Sequence, residues 1–167
     1  MKVLMVCLGN ICRSPTAEAV FRQKVAEYNL TESIAIDSAG TGDWHIGHSP
    51  DARAIAAAAQ RGIDLSKLKA RLVTISDFEE YDYIFAMDKE NFKNLSVMSP
   101  IDKQEKLSLF LTHSDGKATI CPDAIPYEEV PDPYYSGTEG FELVLDLIDK
   151  ASTNILNTLI SKHNLTK

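Results

Sequence analysis

Lys2-Val3-Leu4-Met5-Val6-Cys7-Leu8-Gly9-Asn10-Ile11-Cys12-Arg13-Ser14-Pro15 is the stretch from which the rest of the chain is read. Residues 2–6 form an apolar run that predicts a buried strand stopping at Cys7. A short loop with one glycine follows and closes on Arg13. Ser14 as N-cap and Pro15 as first helical residue predict a helix to about residue 28. Strand, loop and helix N-terminus in this order bring unpaired backbone N–H groups around the loop, and such a loop favours an oxyanion.

The residue types suit that anion. The positive field of the helix N-terminus favours the thiolate form of Cys7. Arg13 offers a planar fork of donors that fits two phosphate oxygens at once. A thiolate beneath a phosphorus atom, with the oxygens held by amides and a guanidinium, is an arrangement for nucleophilic phosphoryl transfer. Gly9 is expected to let the backbone approach the ligand and to take a positive φ, a geometry that Asn10 also tolerates. A buried structural cysteine is the plain alternative for Cys7, and the spacing to Arg13 and the helix start argues against it.

Outward from this stretch, strands are predicted over residues 34–38, 82–87 and 107–111. A helix is predicted from Ser49-Pro50 to Gly62, and Asp88 is read as the cap of a short helix. Residues 112–138 read as irregular and hold four of the seven prolines. Leu143, Leu147, Ile148, Ile155 and Leu159 have helical spacing and predict a last helix over 141–160. Strands alternating with helices imply one α/β domain over residues 1–167: a four-stranded parallel sheet with helices on both faces. In such sheets ligands bind at the carboxyl ends of the strands, where the Cys7 loop lies.

Cys-five residues-Arg-Ser directly after the first strand resembles the low-molecular-weight protein tyrosine phosphatases. Asp37-Ser38-Ala39-Gly40-Thr41, Asp82-Tyr83-Ile84-Phe85-Ala86-Met87-Asp88 and Asp132-Pro133-Tyr134-Tyr135 are similar to that family too, in the same order. The resemblance implies a flavodoxin-like fold of the phosphotyrosine phosphatase I type. It implies hydrolysis of phosphotyrosine in proteins and of small aryl phosphates through phosphocysteine. Cys7 would be the nucleophile. Arg13 and the loop Leu8, Gly9, Asn10, Ile11, Cys12 and Ser14 would bind phosphate, with Ser38 bracing the loop beside Asn10. Ser14 would both cap the helix and donate its hydroxyl to Cys7. Trp44 and Tyr134 would wall a slot for an aromatic ring, although ordinary loop anchoring is the other reading of Trp44.

A leaving phenolate needs a proton, because its conjugate acid has a pKa near 10. Pro133 holds Asp132 extended on a long loop, but composition alone does not choose it over Asp88 or Asp123. The Asp-Pro-Tyr-Tyr resemblance does, and implies Asp132 as general acid and then base. Cys12 reads either as apolar filler or, as the resemblance implies, as a partner for a reversible disulfide with Cys7. Many members carry a histidine shortly before the arginine corresponding to Arg71. Residues 66–70 have none, so the support of Asn10 near Leu68 is expected to differ or be weaker. His45 and His48 lie on another loop and receive no role.

Composition bounds the remainder. A net charge of −7 opposes nucleic acid and anionic membranes as partners. Three cysteines without an even framework point to a reducing compartment, and no signal or spanning segment is read, so the expected location is cytoplasmic. No metal or cofactor is expected, and the chain is read as a monomer. Its partners would be phosphotyrosine proteins, with inorganic phosphate and other oxyanions as product or inhibitors. A protein arginine phosphatase is the nearest alternative, although its loop carries threonine where Ile11 stands. An arsenate reductase on this fold needs further cysteines in mid-chain, and none lies between Cys12 and Cys121. A non-catalytic phospho-ligand module is disfavoured by Cys7, Arg13 and Asp132 together.

Overall fold

Strand β1 (Lys2–Cys7) is bonded in parallel to β2 (Ala35–Gly40) on one side and to β3 (Tyr83–Ala86) on the other. The computed structural model describes residues 1–112 and 127–166. β4 (Leu107–Leu109) pairs with β3 and completes the order β2-β1-β3-β4, all parallel. The strands are apolar on both sides because both sides are covered. Val3, Met5 and Cys7 pack with buried residues of α1 (Arg13–Glu27), α2 (Ala52–Gln60) and α5 (Thr138–His163). Leu4 and Val6 point the other way, to Val73, to Phe78 of α3 (Ile75–Glu80) and to Leu95 of α4 (Lys89–Met98). The expected four-stranded parallel sheet with helices on both faces is the one observed. No helix among the described residues is long and apolar enough to cross a membrane.

Several boundaries differ from expectation. β2 runs through Gly40, which pairs with Cys7 and bonds the Arg71 carbonyl at 2.8 Å. α1 begins at Arg13, ahead of Ser14, and Cys12 is its N-cap without a side-chain bond. α2 begins after Asp51, whose carboxylate accepts the Arg53 N–H at 2.8 Å, and not at Ser49-Pro50. α5 is longer at both ends than residues 141–160, and Leu143 turns outward while Val144 and Leu145 face the core. Two short elements have no periodicity to announce them. They are α3, held by a Thr74–Asp77 capping box, and a 3₁₀ helix over Ile101–Lys106.

The chain leaves β1 for β2 in one direction and later places β3 on the opposite side of β1. The loops after β1 and β3 therefore diverge and open a crevice at their carboxyl ends. β2 closes on that crevice tightly. A Cβ at Gly40 would stand 2.7 Å from the Leu8 carbonyl oxygen and 3.2 Å from Asn10 Cβ. Gly40→Ala must therefore push the Cys7 loop away from β2. Its cost is about 1–3 kcal/mol, the usual range for overpacking. Urea unfolding should show that loss, together with reduced turnover, and an unchanged midpoint would refute the close approach.

Candidate active site

Cys7 ends β1 with only 3% of its surface exposed. Its Sγ lies 3.0 Å from Ser14 Oγ and accepts the Asn10 backbone N–H at 3.3 Å. The Ser14 hydroxyl is thus turned to the sulfur and not to the helix end. The expectation that Ser14 also caps α1 is corrected, because Ser14 already lies within the helix. The positive φ belongs to Asn10, at 54°, and Gly9 is not among the residues with positive φ. Gly9 instead makes room for a neighbour: a Cβ there would lie 3.0 Å from His45 Cδ2.

Asn10 is held at every side-chain atom able to bond. Its Nδ2 donates to Ser14 Oγ at 2.8 Å and to Ser38 Oγ at 2.9 Å. Its Oδ1 accepts the Arg71 backbone N–H at 2.9 Å. A main-chain donor next to β2 thus supplies support where a histidine is lacking, and the bracing differs without a vacant acceptor. The Ser38 hydroxyl in turn donates to Glu18 Oε2 at 2.6 Å. Burial pushes the Glu18 carboxyl above its ordinary range, and the Ser38 hydroxyl and Arg22 partly offset that shift.

Arg13 is 3% exposed and lies under two carboxylates. Its Nη1 donates to Asp88 Oδ2 at 2.5 Å and to the Val130 carbonyl at 3.2 Å, and its Nη2 to Asp132 Oδ2 at 3.2 Å. Burial opposes its charge, but Cys7, Asp88 and Asp132 outweigh burial and the net shift is upward. Asp88 does cap α4 as expected, accepting the Asn91 N–H at 2.7 Å on its other oxygen. The same carboxylate therefore joins a helix start to the guanidinium, which the sequence did not suggest. The Asp132 side chain is 47% exposed and also accepts the Tyr134 N–H at 3.1 Å. Cys121 and Asp123 lie outside the described residues.

Cys7, Arg13 and Asp132 share one cavity of about 250 Å³. Cys7, Cys12 and Arg13 line it with Leu8, Gly9 and Ile11 of the loop. Trp44 and His45 contribute from the loop after β2, and Asp132, Tyr134 and Tyr135 from the loop before α5. The Trp44 ring folds back over Gly42, where an added Cβ would meet it at 1.8 Å, yet 67% of the residue stays exposed. Aromatic faces around an anion loop suit a flat substrate whose far end is an oxyanion.

The family model for "Low molecular weight phosphotyrosine protein phosphatase" matches residues 2–165. The chain belongs to this family. It is a cysteine-dependent phosphatase by that membership. It is 43% identical over 162 residues to the low molecular weight phosphotyrosine protein phosphatase of Schizosaccharomyces pombe, covering 95% of this chain and 97% of the relative. A protein tyrosine phosphatase from Entamoeba histolytica, with Hepes in its active site, matches with a TM-score of 0.86 and 38% identity over 99% of each chain. A Drosophila arginine phosphatase matches with a TM-score of 0.83 and 32% identity, over 94% of this chain and 96% of that one.

Within this phosphatase fold, Asp51 and Arg53 add contacts that no sequence motif marks. The Asp51 N–H bonds the Ile11 carbonyl at 2.8 Å, and its carboxylate holds Arg53. Arg53 then donates to the Tyr134 carbonyl at 2.9 Å and lies 5.4 Å from the Tyr134 ring centroid. The pair ties the anion loop to the loop that carries Asp132. An aspartate two residues before an arginine at a helix start was the available signal, and only the fold shows where the arginine reaches. His45, which no motif marks, also lines the cavity, its ring centroid 5.8 Å from that of His48.

The two cysteines of the loop differ in environment. Burial, with Asp51, Cys7 and Asp132 adding to it, pushes the Cys12 thiol up to about 12. At pH 8 roughly 1 in 10⁴ of it is then thiolate, and the fraction rises tenfold per pH unit. Iodoacetamide at pH 7–8 should therefore alkylate Cys7 and spare Cys12, with Cys12 labelling growing steeply in more alkaline buffer. Peptide mapping reads the ratio, and equal labelling at pH 7 would contradict the environment described for Cys12.

Proposed function

We propose that the chain hydrolyses phosphotyrosine in proteins, and small aryl phosphates, through a phosphocysteine intermediate. The observation that carries this reading is the convergence of Cys7, Arg13 and Asp132 on one aromatic-walled cavity. The Cys7 thiolate attacks phosphorus as the bond to the phenolic oxygen breaks. Asp132 gives its proton to the departing oxygen. The ionised Asp132 then takes a proton from water, which attacks phosphorus as the S–P bond breaks. Arg13 and the loop amides hold the phosphoryl oxygens in both steps. The Ser14 hydroxyl, 3.0 Å from Cys7 Sγ, stabilises the thiolate as it leaves.

A free thiolate suits a reducing cytoplasm, which also agrees with three cysteines lacking a disulfide framework. Cys12 is the candidate partner under oxidation. Peroxide would convert the Cys7 thiolate to a sulfenic acid, and Cys12 sulfur would displace its hydroxyl as water to give the disulfide. Both thiols are free and line the same cavity. Mild peroxide is then expected to inactivate reversibly with a Cys7–Cys12 linkage in peptide maps. Inactivation without that linkage would return Cys12 to the role of core filler.

A second reading, protein arginine phosphatase, is favoured by the likeness to the Drosophila enzyme. Ile11, Trp44 and Tyr134 lining the cavity support the aryl substrate over it. Side-by-side turnover of phosphotyrosine, phosphoarginine and phosphoserine peptides decides, and a faster phosphoarginine rate would overturn the substrate class. Cys7→Ser should abolish turnover while vanadate or phosphate still binds. Asp132→Ala should slow formation of phosphocysteine from phosphotyrosine by roughly 10²–10⁴-fold, the usual worth of a positioned acid. Its deficit should be smaller for nitrophenyl phosphate, whose leaving group needs less protonation. Equal deficits in single-turnover measurements would remove Asp132 from that role.

A further inference from the structure

Glu18 is a buried carboxylate for which the reaction above has no use. It lies on α1 one turn beyond Ser14, 3% exposed. Its Oε1 takes the Arg22 Nε–H at 3.0 Å, and its Oε2 takes the Ser38 hydroxyl proton at 2.6 Å. Arg22 also bonds the Ile36 carbonyl, so it spans from α1 to β2. Placing a carboxylate here is costly in solvation, and a leucine would fill the space.

Glu18 completes the proton balance of the hydrogen bonds around Asn10. The Arg71 N–H on Asn10 Oδ1 fixes which way the Asn10 amide faces. Both Nδ2 protons therefore go to hydroxyl oxygens, those of Ser14 and Ser38. A serine hydroxyl has one proton to give. Ser38, already accepting from Asn10, must send its own proton to an acceptor, and Glu18 Oε2 is that acceptor. Ser14, also accepting from Asn10, is left with its proton for Cys7 Sγ or for the Ala39 carbonyl at 3.3 Å. A group that donates at the Glu18 position would compete with Asn10 for Ser38 and loosen the residue whose N–H faces the sulfur.

We propose that Glu18 is a positioning residue for the nucleophile: as an ionised acceptor it sets the direction of the Ser38–Asn10–Ser14 hydrogen bonds that end on the Cys7 thiolate. The proposal rests on the reading of Cys7 as the nucleophile. Arg22 on the same helix and Asp37 on β2 are the other charged groups acting on Glu18.

The sign of one measurement separates positioning from plain electrostatics. Glu18→Gln removes a negative charge, which by itself favours a nearby thiolate and would speed alkylation. Loss of positioning does the reverse. At pH 7 iodoacetamide should label Cys7 about 3- to 30-fold more slowly in Glu18→Gln than in the unmodified protein, with kcat for nitrophenyl phosphate falling in step. Adding Glu18→Gln to Ser38→Ala should slow labelling no further than Ser38→Ala alone, because the two act in series. Unchanged or faster labelling in Glu18→Gln, or additive effects in the double variant, would overturn the proposal. If Glu18→Gln does not fold, Glu18→Asp keeps the charge but draws the acceptor back from Ser38. Slowed labelling in that folded variant supports the proposal, and labelling at the unmodified rate overturns it. Labelling is independent of substrate. Slowed labelling beside an unmodified protein that does not turn over aryl phosphates would therefore support the positioning role while removing the phosphatase reading.

Discussion

A sulfur out of bulk water must find its hydrogen-bond partners in the protein, and the placement of Asn10 is how this chain provides them for Cys7. Its backbone N–H and the Ser14 hydroxyl face Cys7 Sγ, and both depend on the Asn10 side chain being held. A left-handed asparagine is a strained choice that an unsupported loop would relax. Here the strain is held by bonds from three directions: Ser14 on α1, Ser38 on β2, and the Arg71 main chain beyond it. Gly40 lets β2 come close enough for this to happen.

The positive charge of Arg13 needs as much support as the sulfur. It is buried, in a chain of net charge −7, and two carboxylates keep it charged and aimed. Asp88 fixes it from the end of β3. Asp132 approaches from the loop before α5, half-exposed. Arg53 and Asp51 extend the same organisation outward, fastening the Asp132 loop to the anion loop through Tyr134 and Ile11.

The sheet order explains why these parts meet. With β1 between β2 and β3, the loop after β1 is flanked by Ser38 and Gly40 on one side and Asp88 on the other. Two apolar cores, one on each face of the sheet, pack against the strands that lead to that edge.

The sequence by itself determined the parallel sheet, the anion loop and the identity of its nucleophile and guanidinium candidates. Those follow from local order: an apolar strand, five residues, and a helix start, each legible from neighbours in the chain. It also marked Asn10, Ser38, Trp44, Tyr134 and Asp132, though through resemblance and not through spacing. It misplaced the start of α1, because Ser14 looks like a cap until the sulfur claims its hydroxyl. It missed α3, whose six residues are too few to show a period. Only the tertiary structure decided that Arg71 lends its N–H to Asn10, that Asp88 reaches Arg13, that Glu18 stands behind Ser38, and that Arg53 joins two loops. Each of those contacts crosses from one element to another, 20 to 81 residues away along the chain. No local pattern of residues carries a bond of that separation. It comes into being when the strands take their order and bring the loop ends to one edge of the sheet.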